Sequence, residues 1–432
     1  MRVLWFADAQ LPAVTGAPLL GGGWVEGLRH ALEDFATEIE LGIAAPGSVD
    51  HGPFRAGNAT YFRVDHRRAG GGLRGATSRW RHAVPDGALT SCAEIAREFR
   101  PDLVHVHGSE HYFGLVLERV STPAIVSLQG LATVCERFVL SGAGCADVVR
   151  EIPTREFARG YGLLHEHWSM RARAAVERRV FALCSDFMGR TEWDQGVLGL
   201  LAPGSVYHHV DEVLGAPFYT SLWAGPNSGD GVVFCTIGQS ALKGLECLLA
   251  AMIILRRSGL RTPRLRVAGS ALEGGLARRL RAMVSEPEIA GRVEFLGNCT
   301  SEAIAQGITG ASVFVLPSHL ENSPNSLCEA MLVGAPCVAS FVGGVPSLVR
   351  HGVDGLLYHD ADPFALAIQI DRLLGNPALA RRLGAEARAK ALQRHDPRRI
   401  AESVVRAYRS VLAGPRPDAA VGRAGEAEEM RM

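Results

Sequence analysis

The stretch "SVFVLPSHLENSPNSLCEAMLVGAPCVAS", Ser312 to Ser340, reads as strand, helix, strand. Val313 to Leu316 and Cys337 to Ala339 are short, continuous apolar runs of the kind buried on both faces of a parallel sheet. Between them Ser323 is expected as the N-cap and Pro324 as the first helical residue, where its missing N–H costs nothing. Gly334 supplies the C′ stop, with Pro336 beyond it. Glu321 lies in the loop ahead of this helix, and Glu329 points outward from its second turn. Between the two acids lie free backbone N–H groups and the positive end of the helix dipole, an anion site by construction. Two carboxylates flanking an anion site suit a ligand that carries both phosphates and hydroxyls, such as a nucleotide-sugar. A capped surface helix whose acids offset its dipole is the plainer alternative on these residues alone.

Working outward, the strand–helix alternation continues in both directions. Toward the N-terminus it comprises strands Val232 to Ile237, Arg264 to Ala268 and Val293 to Leu296, with helices Leu245 to Arg257, Leu276 to Val284 and Ser301 to Gln306. Toward the C-terminus lie helices Pro363 to Leu374, Pro377 to His395 and Arg398 to Leu412. An earlier run has strands Val3 to Ala7, Leu41 to Ala44, Leu103 to His107 and Ala124 to Leu128. Its helices are Trp24 to Leu32, Thr90 to Phe99, Tyr112 to Glu118 and Leu163 to Phe181. Interleaved strands and helices imply parallel sheets with covered faces. The two runs are split by "GAPFYTSLWAGPNSGDG", Gly215 to Gly231. Two doubly wound Rossmann-like domains follow, 1–205 and 215–397, with the last helix crossing back to the first and a disordered tail over 413–432. Ligands of such sheets bind at the carboxyl ends of the strands, here in a cleft between the domains.

Composition sets the surroundings. The 432 residues are 47% hydrophobic, and Lys+Arg and Asp+Glu balance at 45 each. Such a balance creates no global field for nucleic acid or an anionic membrane. Nine cysteines without a C-x-x-C pair suit a reducing compartment. The opening "MRVLWFADAQ" is too short an apolar run for a leader or a span, so a cytoplasmic protein is expected. One insertion, Arg67 to His82, carries five arginines and a tryptophan; it is a solvated loop or a grip for an anionic acceptor or the membrane surface.

The loops at the strand ends carry the remaining chemistry. After the first strand, Gly21, Gly22 and Gly23 precede a helix, as in a phosphate cradle. After Val232 to Ile237 comes "GQSALKGLE", where Lys243 is one of two lysines in the whole chain. A compact ammonium at a glycine-flanked turn suits a diphosphate. Gly343 and Gly344 follow the strand that ends near Ser340. The "DAD" at Asp360 to Asp362 precedes Pro363, so Asp362 is read as an N-cap rather than a metal ligand. His105 and His107 alternate onto one strand face, and no acid or cysteine partner gives them metal-ligand spacing.

These residues together resemble family 4 glycosyltransferases, which have the GT-B fold. The resemblance runs from Met1 to about Leu412 and is carried by "ENSPNSLCE" (an E-x7-E pattern), "PDLVHVHG", "IVSLQG", "KGLECLLAA", "VEFLGN", "SVFVLPS" and "GGVPSLVRHGVDGLL". It implies sugar transfer from a nucleotide-diphosphate donor with retention of configuration and without a metal or other cofactor. By analogy Glu321 contacts the donor sugar and Glu329 the ribose, while the Asn325 and Ser326 amides lie near sugar and phosphate. Lys243, Gly22 and Gly23 neutralise the leaving diphosphate, and Asn298 and Cys299 meet the base. Gln129 stands where the family has a cleft histidine, Gln239 and Ser240 where it has an arginine, and "VYHHVD" where it has an Asn-Gly step. Trp24 and His107 are candidates for the acceptor side. The expected donor is a UDP-sugar and the expected acceptor a hydroxyl of a saccharide, glycolipid or natural product. A catalytically silent nucleotide-sugar-binding partner and a GT-B epimerase are the alternatives.

Overall fold

A computed structural model describes residues 1–8, 11, 23–47, 52–65, 84, 87–152, 154–226, 229–238, 240–270, 272 and 276–414. Two sheets organise these residues. The first holds β1 (Arg2–Ala7), β2 (Glu40–Gly47), β3 (Phe54–Ala56), β4 (Ala59–Asp65), β5 (Leu103–His107), β6 (Ala124–Ser127), β7 (Asp186–Gly189) and β8 (Val206–His209). Its order is β3-β4-β2-β1-β5-β6-β7-β8, parallel except for the short edge strand β3. The second holds β9 (Val232–Thr236), β10 (Arg264–Ala268), β11 (Val293–Gly297), β12 (Val313–Leu316), β13 (Cys337–Ser340) and β14 (Leu356–Tyr358), in the order β11-β10-β9-β12-β13-β14. All its pairings are parallel, so the crossovers must be helical and must cover both faces.

Several boundaries differ from the sequence reading. The first sheet runs to His209 rather than stopping at Ser205, because Val206–His209 pairs with β7 as the edge strand. That strand reads Val-Tyr-His-His, with one aliphatic residue and no apolar run, which hid it. The expected helix Tyr112 to Glu118 is a 3-10 helix. The glycine- and proline-rich stretch between the sheets is no loose tether over its described residues. It forms a short helix, Ala216–Thr220, buries Phe218, and holds Trp223 Nε1 2.6 Å from the Ala311 carbonyl.

The last helix, Pro397–Leu412, is amphipathic. It lays Ile400, Val404 and Tyr408 into the core beneath the first sheet. There the Tyr408 hydroxyl accepts from Trp5 Nε1 at 2.9 Å and sits 2.7 Å from His105 Nδ1. A segment of the first half reaches the other way. Leu140, Ala143, Val148 and Leu163 pack on the apolar core of the second sheet. All nine cysteines are free, and among the described residues no helix is long and apolar enough to cross a membrane.

Candidate active site

The helix of the acid motif spans Asn325–Val333, one residue later than the sequence suggests, with Pro324 as its N-cap. Ser323 does not cap it: its hydroxyl is drawn 2.8 Å from Glu212 Oε1 across the two halves. Proline has no capping side chain, and the Asn325 and Ser326 N–H groups find no acceptor among the described residues. They leave a positive helix end open to an anion. Gly334 ends the helix at φ 85°, as the sequence implies.

Lys243 closes a 3-10 turn, Ala241–Lys243, that Ser240 caps by accepting from the Leu242 N–H at 3.2 Å. Gly244 follows at φ 63°, and a Cβ there would fall 2.0 Å from the Pro317 carbonyl oxygen, so only glycine fits. This close approach brings the loop after β9 against the loop after β12. Lys243 Nζ reaches Glu321 Oε1 at 2.7 Å, and the Ser318 hydroxyl donates to the same oxygen at 2.7 Å. Burial works against the lysine's charge, but the Glu321 carboxylate outweighs it and raises Lys243 above its ordinary value.

Glu329 sits on the second turn without a hydrogen-bond partner among the described residues, and burial pushes its carboxyl up to about 8. At Gly343 and Gly344 the space that a side chain would take is already filled. A Cβ on Gly343 would lie 2.0 Å from the Glu321 carbonyl oxygen, and one on Gly344 2.1 Å from that of Asn322. They let the loop after β13 press against the acid loop. Asn298 is exposed and Cys299 half-buried just past β11, with the Cys299 thiol turned to the Gly297 carbonyl at 3.4 Å.

The first half meets this arrangement at the ends of β6 and β7. Asn322 Nδ2 donates to the Gln129 carbonyl at 3.2 Å and to Asp194 Oδ2 at 2.9 Å, while its Oδ1 accepts from Thr191 at 2.8 Å. Gln129 is thus beside the acid loop through its backbone, and its half-exposed side-chain amide remains unbonded among the described residues. His107 contradicts its assignment to the acceptor side. It is 2% exposed, wedged against His105, Trp5 and Trp24 at ring separations of 3.9, 4.7 and 5.2 Å. Burial holds it neutral, far below the usual histidine range. Trp24 is half-buried, its other flank covered by the Arg190 guanidinium at 5.1 Å. Gly23 precedes its helix without a side-chain cap. Gly21, Gly22, Gln239 and the arginine-rich Arg67 to His82 lie outside the described residues.

Two features escaped the sequence reading. Glu110, after β5, has a carboxyl oxygen, Oε2, that is buried and without a hydrogen-bond partner among the described residues. Burial, reinforced by Glu177 and Asp8, pushes this acid up to about 7. The Cys135 thiol feels the charges of Glu177, Glu321, Glu110 and Lys243, which places a first-domain acid in the surroundings of the Lys243–Glu321 pair. The second is the partner of Asp360 in the "DAD", which pairs with the buried His319 at 2.8 Å, while Asp362 caps its helix as read, accepting from Ala365 N at 2.9 Å.

Among the described residues one triplet, Glu212, Cys328 and His395, clusters closely enough to hold a metal ion. Its chemistry does not fit one. Arg190 and Arg394 each stand 3.7 Å from Glu212 and already supply the positive charge. Burial and the Glu212 charge also keep the Cys328 thiol protonated, whereas a thiol ligand must be a thiolate.

Comparison with known proteins agrees with this geometry. Residues 224–390 match the family described as "Glycosyl transferases group 1". The D-inositol 3-phosphate glycosyltransferase of Streptomyces griseus subsp. griseus is 36% identical over 158 residues, 35% of this chain and 33% of that protein. The chain thus spans about a third of the length of that curated relative. Sucrose-phosphate synthase from Thermosynechococcus elongatus superposes with a TM-score of 0.70 at 19% identity, covering 95% of this chain and 99% of that one. Anabaena HepE in complex with UDP-glucose gives 0.62 at 17% identity over 95% and 100% of the two chains. The fold is therefore GT-B, two Rossmann-like domains joined at the carboxyl ends of their sheets.

Proposed function

We propose that this protein is a retaining glycosyltransferase that moves a sugar from a UDP-sugar to a hydroxyl of a saccharide-like acceptor, without a metal ion. The observation that carries the reading is the Lys243–Glu321 pair, 2.7 Å apart beside the open N-terminus of the Asn325–Val333 helix. In this reading the Lys243 ammonium and the two amides that find no acceptor among the described residues meet the departing diphosphate together. The match over residues 224–390 covers all of these groups, and the UDP-glucose bound by HepE supports the choice of donor.

In this reading the Lys243 ammonium turns from Glu321 toward the donor's phosphates, and Glu321 accepts hydroxyls of the sugar. The bond between the anomeric carbon and the phosphate oxygen breaks as the acceptor oxygen bonds to the same face of that carbon. The acceptor's proton passes to the departing phosphate oxygen, so no side-chain base is needed. Lys243 and the helix amides stabilise the charge that develops on the diphosphate. Glu329 holds the ribose hydroxyls, and the Gln129 amide orients the sugar as a neutral donor and acceptor.

The test begins with UDP, GDP and ADP in a thermal-shift screen, since a nucleotide at 100 times its dissociation constant adds about 2.7 kcal/mol. Mass spectrometry of UDP-sugars paired with an acceptor panel then reads transfer, which should survive excess EDTA. UDP binding without any product would favour the silent binding partner. Activity abolished by EDTA and restored by manganese would overturn the metal-free mechanism.

A further inference from the structure

We propose that His319 is a positioning residue for the Lys243–Glu321 pair, its imidazolium tying the loops that carry these two groups to the turn after β14. The proposal rests on the reading of that pair as the site of transfer. His319 is 2% exposed. Its Nε2 lies 2.6 Å from Glu246 Oε1 and its Nδ1 2.8 Å from Asp360 Oδ1. A neutral imidazole has a single N–H, so carboxylates on both nitrogens call for the doubly protonated ring. Burial opposes that charge, but the bonds to Asp360 and Glu246 outweigh it and raise the group to about 9.

The places these partners come from give the contact its consequence. Glu246 is on the first turn of the helix Leu245–Arg257, three residues past Lys243. His319 stands two residues before Glu321, and its own N–H donates to the Leu242 carbonyl at 2.7 Å. Asp360 arrives from beyond β14, at the far edge of the sheet. One ring therefore spans the loops after β9, β12 and β14, with Lys243 and Glu321 hanging from two of them. The first half of the chain closes over the same spot. Gly142 leaves no room for a Cβ against Glu246 and the His319 ring, and Arg279 fastens the Gly142 carbonyl at 2.5 Å.

Among the described residues Cys247 and Tyr358 face the triad and feel the Glu246 and Asp360 charges, and Cys247 also feels that of Asp362. Burial pushes the Cys247 thiol up to about 12 and Tyr358 well above its ordinary value, so both stay neutral near pH 9. The tie is intact while His319 is protonated and loses one donor as pH rises through about 9. Removing one carboxylate should move that loss to lower pH by about one unit or more.

The test exploits the chain's two lysines, Lys243 and Lys390. Reductive methylation with a carbon-13 label gives each an NMR signal, and Lys390→Arg assigns them without nucleotide or turnover. In the wild type the Lys243 signal should move as pH rises from 8 to 10. In Asp360→Asn that movement should come about one unit or more lower, and in His319→Gln the signal should lie near the free-lysine position throughout. Release of UDP from UDP-glucose should fall about tenfold in His319→Gln and recover in His319→Arg, whose guanidinium also donates to two carboxylates. Lys243 signals that match the wild type in both His319→Gln and Asp360→Asn would overturn the proposal. A wild type inert toward UDP-glucose would count against that donor, while the lysine signals still decide the role of His319. If His319→Gln does not fold, Asp360→Asn carries the same test, because Asp360 is partly exposed.

Discussion

Lys243 and Glu329 each make a separate prediction, one read in turnover and the other in stability against pH. Lys243→Ala removes the ammonium that meets the leaving group, so turnover should fall by roughly two to three orders of magnitude, measured as UDP release under saturating donor. Near-normal turnover would remove Lys243 from the site. Glu329 makes a different prediction. Its folded carboxyl titrates near 8 because burial disfavours the charge, whereas in the unfolded chain it ionises near 4.3. A raised folded value means its stabilisation is complete below about 4.3 and is lost progressively as pH rises toward 8. Glu329→Gln cannot ionise, so the melting temperature of the variant should gain on the wild type across that window and run parallel above it. Parallel profiles from pH 4.5 to 8.5 would show that Glu329 ionises freely.

Elements, rather than residues, decide how closely the strand-end loops approach. The loop after β13 reaches the acid loop only because Gly344 presents a bare Cα. Its φ of −82° is ordinary, so the constraint is space and not backbone strain. An added methyl would lie 2.1 Å from the Asn322 carbonyl oxygen and 2.7 Å from Thr191 Cγ2. Gly344→Ala should therefore cost about 1–3 kcal/mol in urea unfolding, the range for overpacking a tight site. It should also lower turnover tenfold or more, because the displaced backbone belongs to Glu321 and Asn322. Unchanged turnover in a destabilised variant would mean the glycine serves packing only. The helix start teaches a related lesson. A serine before a proline suggested a cap, yet the Ser323 hydroxyl bonds to Glu212, because a buried carboxylate draws donors more strongly than a helix end does.

The whole molecule is held together by contacts remote in sequence. Tyr408 bonds to Trp5 across 403 residues and to His105 across 303. Tyr408→Phe would strand a buried indole N–H and an imidazole nitrogen, which should cost about 1–3 kcal/mol. The loss should appear in the unfolding of the first sheet, where the last helix docks, and not in the second. Equal loss in both halves would show that they unfold as one unit. The two halves meet in part through Asn322, whose amide serves Gln129, Asp194 and Thr191 together, so the acid loop also belongs to the joint between the domains.

The alternation of short apolar runs with amphipathic helices was enough to specify two parallel sheets, since a parallel strand buried on both faces is mostly apolar and its crossover is usually a helix. Lys243, Glu321 and Glu329 could be singled out as candidates because a rare lysine and two acids beside a helix start are local patterns, and the fold brings the first two within 2.7 Å. The polar strand Val206–His209 was not legible, because its pairing comes from β7 and not from its own residues. His107 looked like a cleft residue from strand alternation, which says which face a side chain takes but not what covers that face. Helix Trp24–Phe35 lies over it and buries the ring. The Asp360–His319–Glu246 tie and the raised Glu110 likewise depend on residues brought together over tens to more than a hundred positions. Sequence spacing reports only what a residue's own helix or strand does with it; charge pairing, burial and the acidity that follows are set by neighbours that only the folded chain supplies.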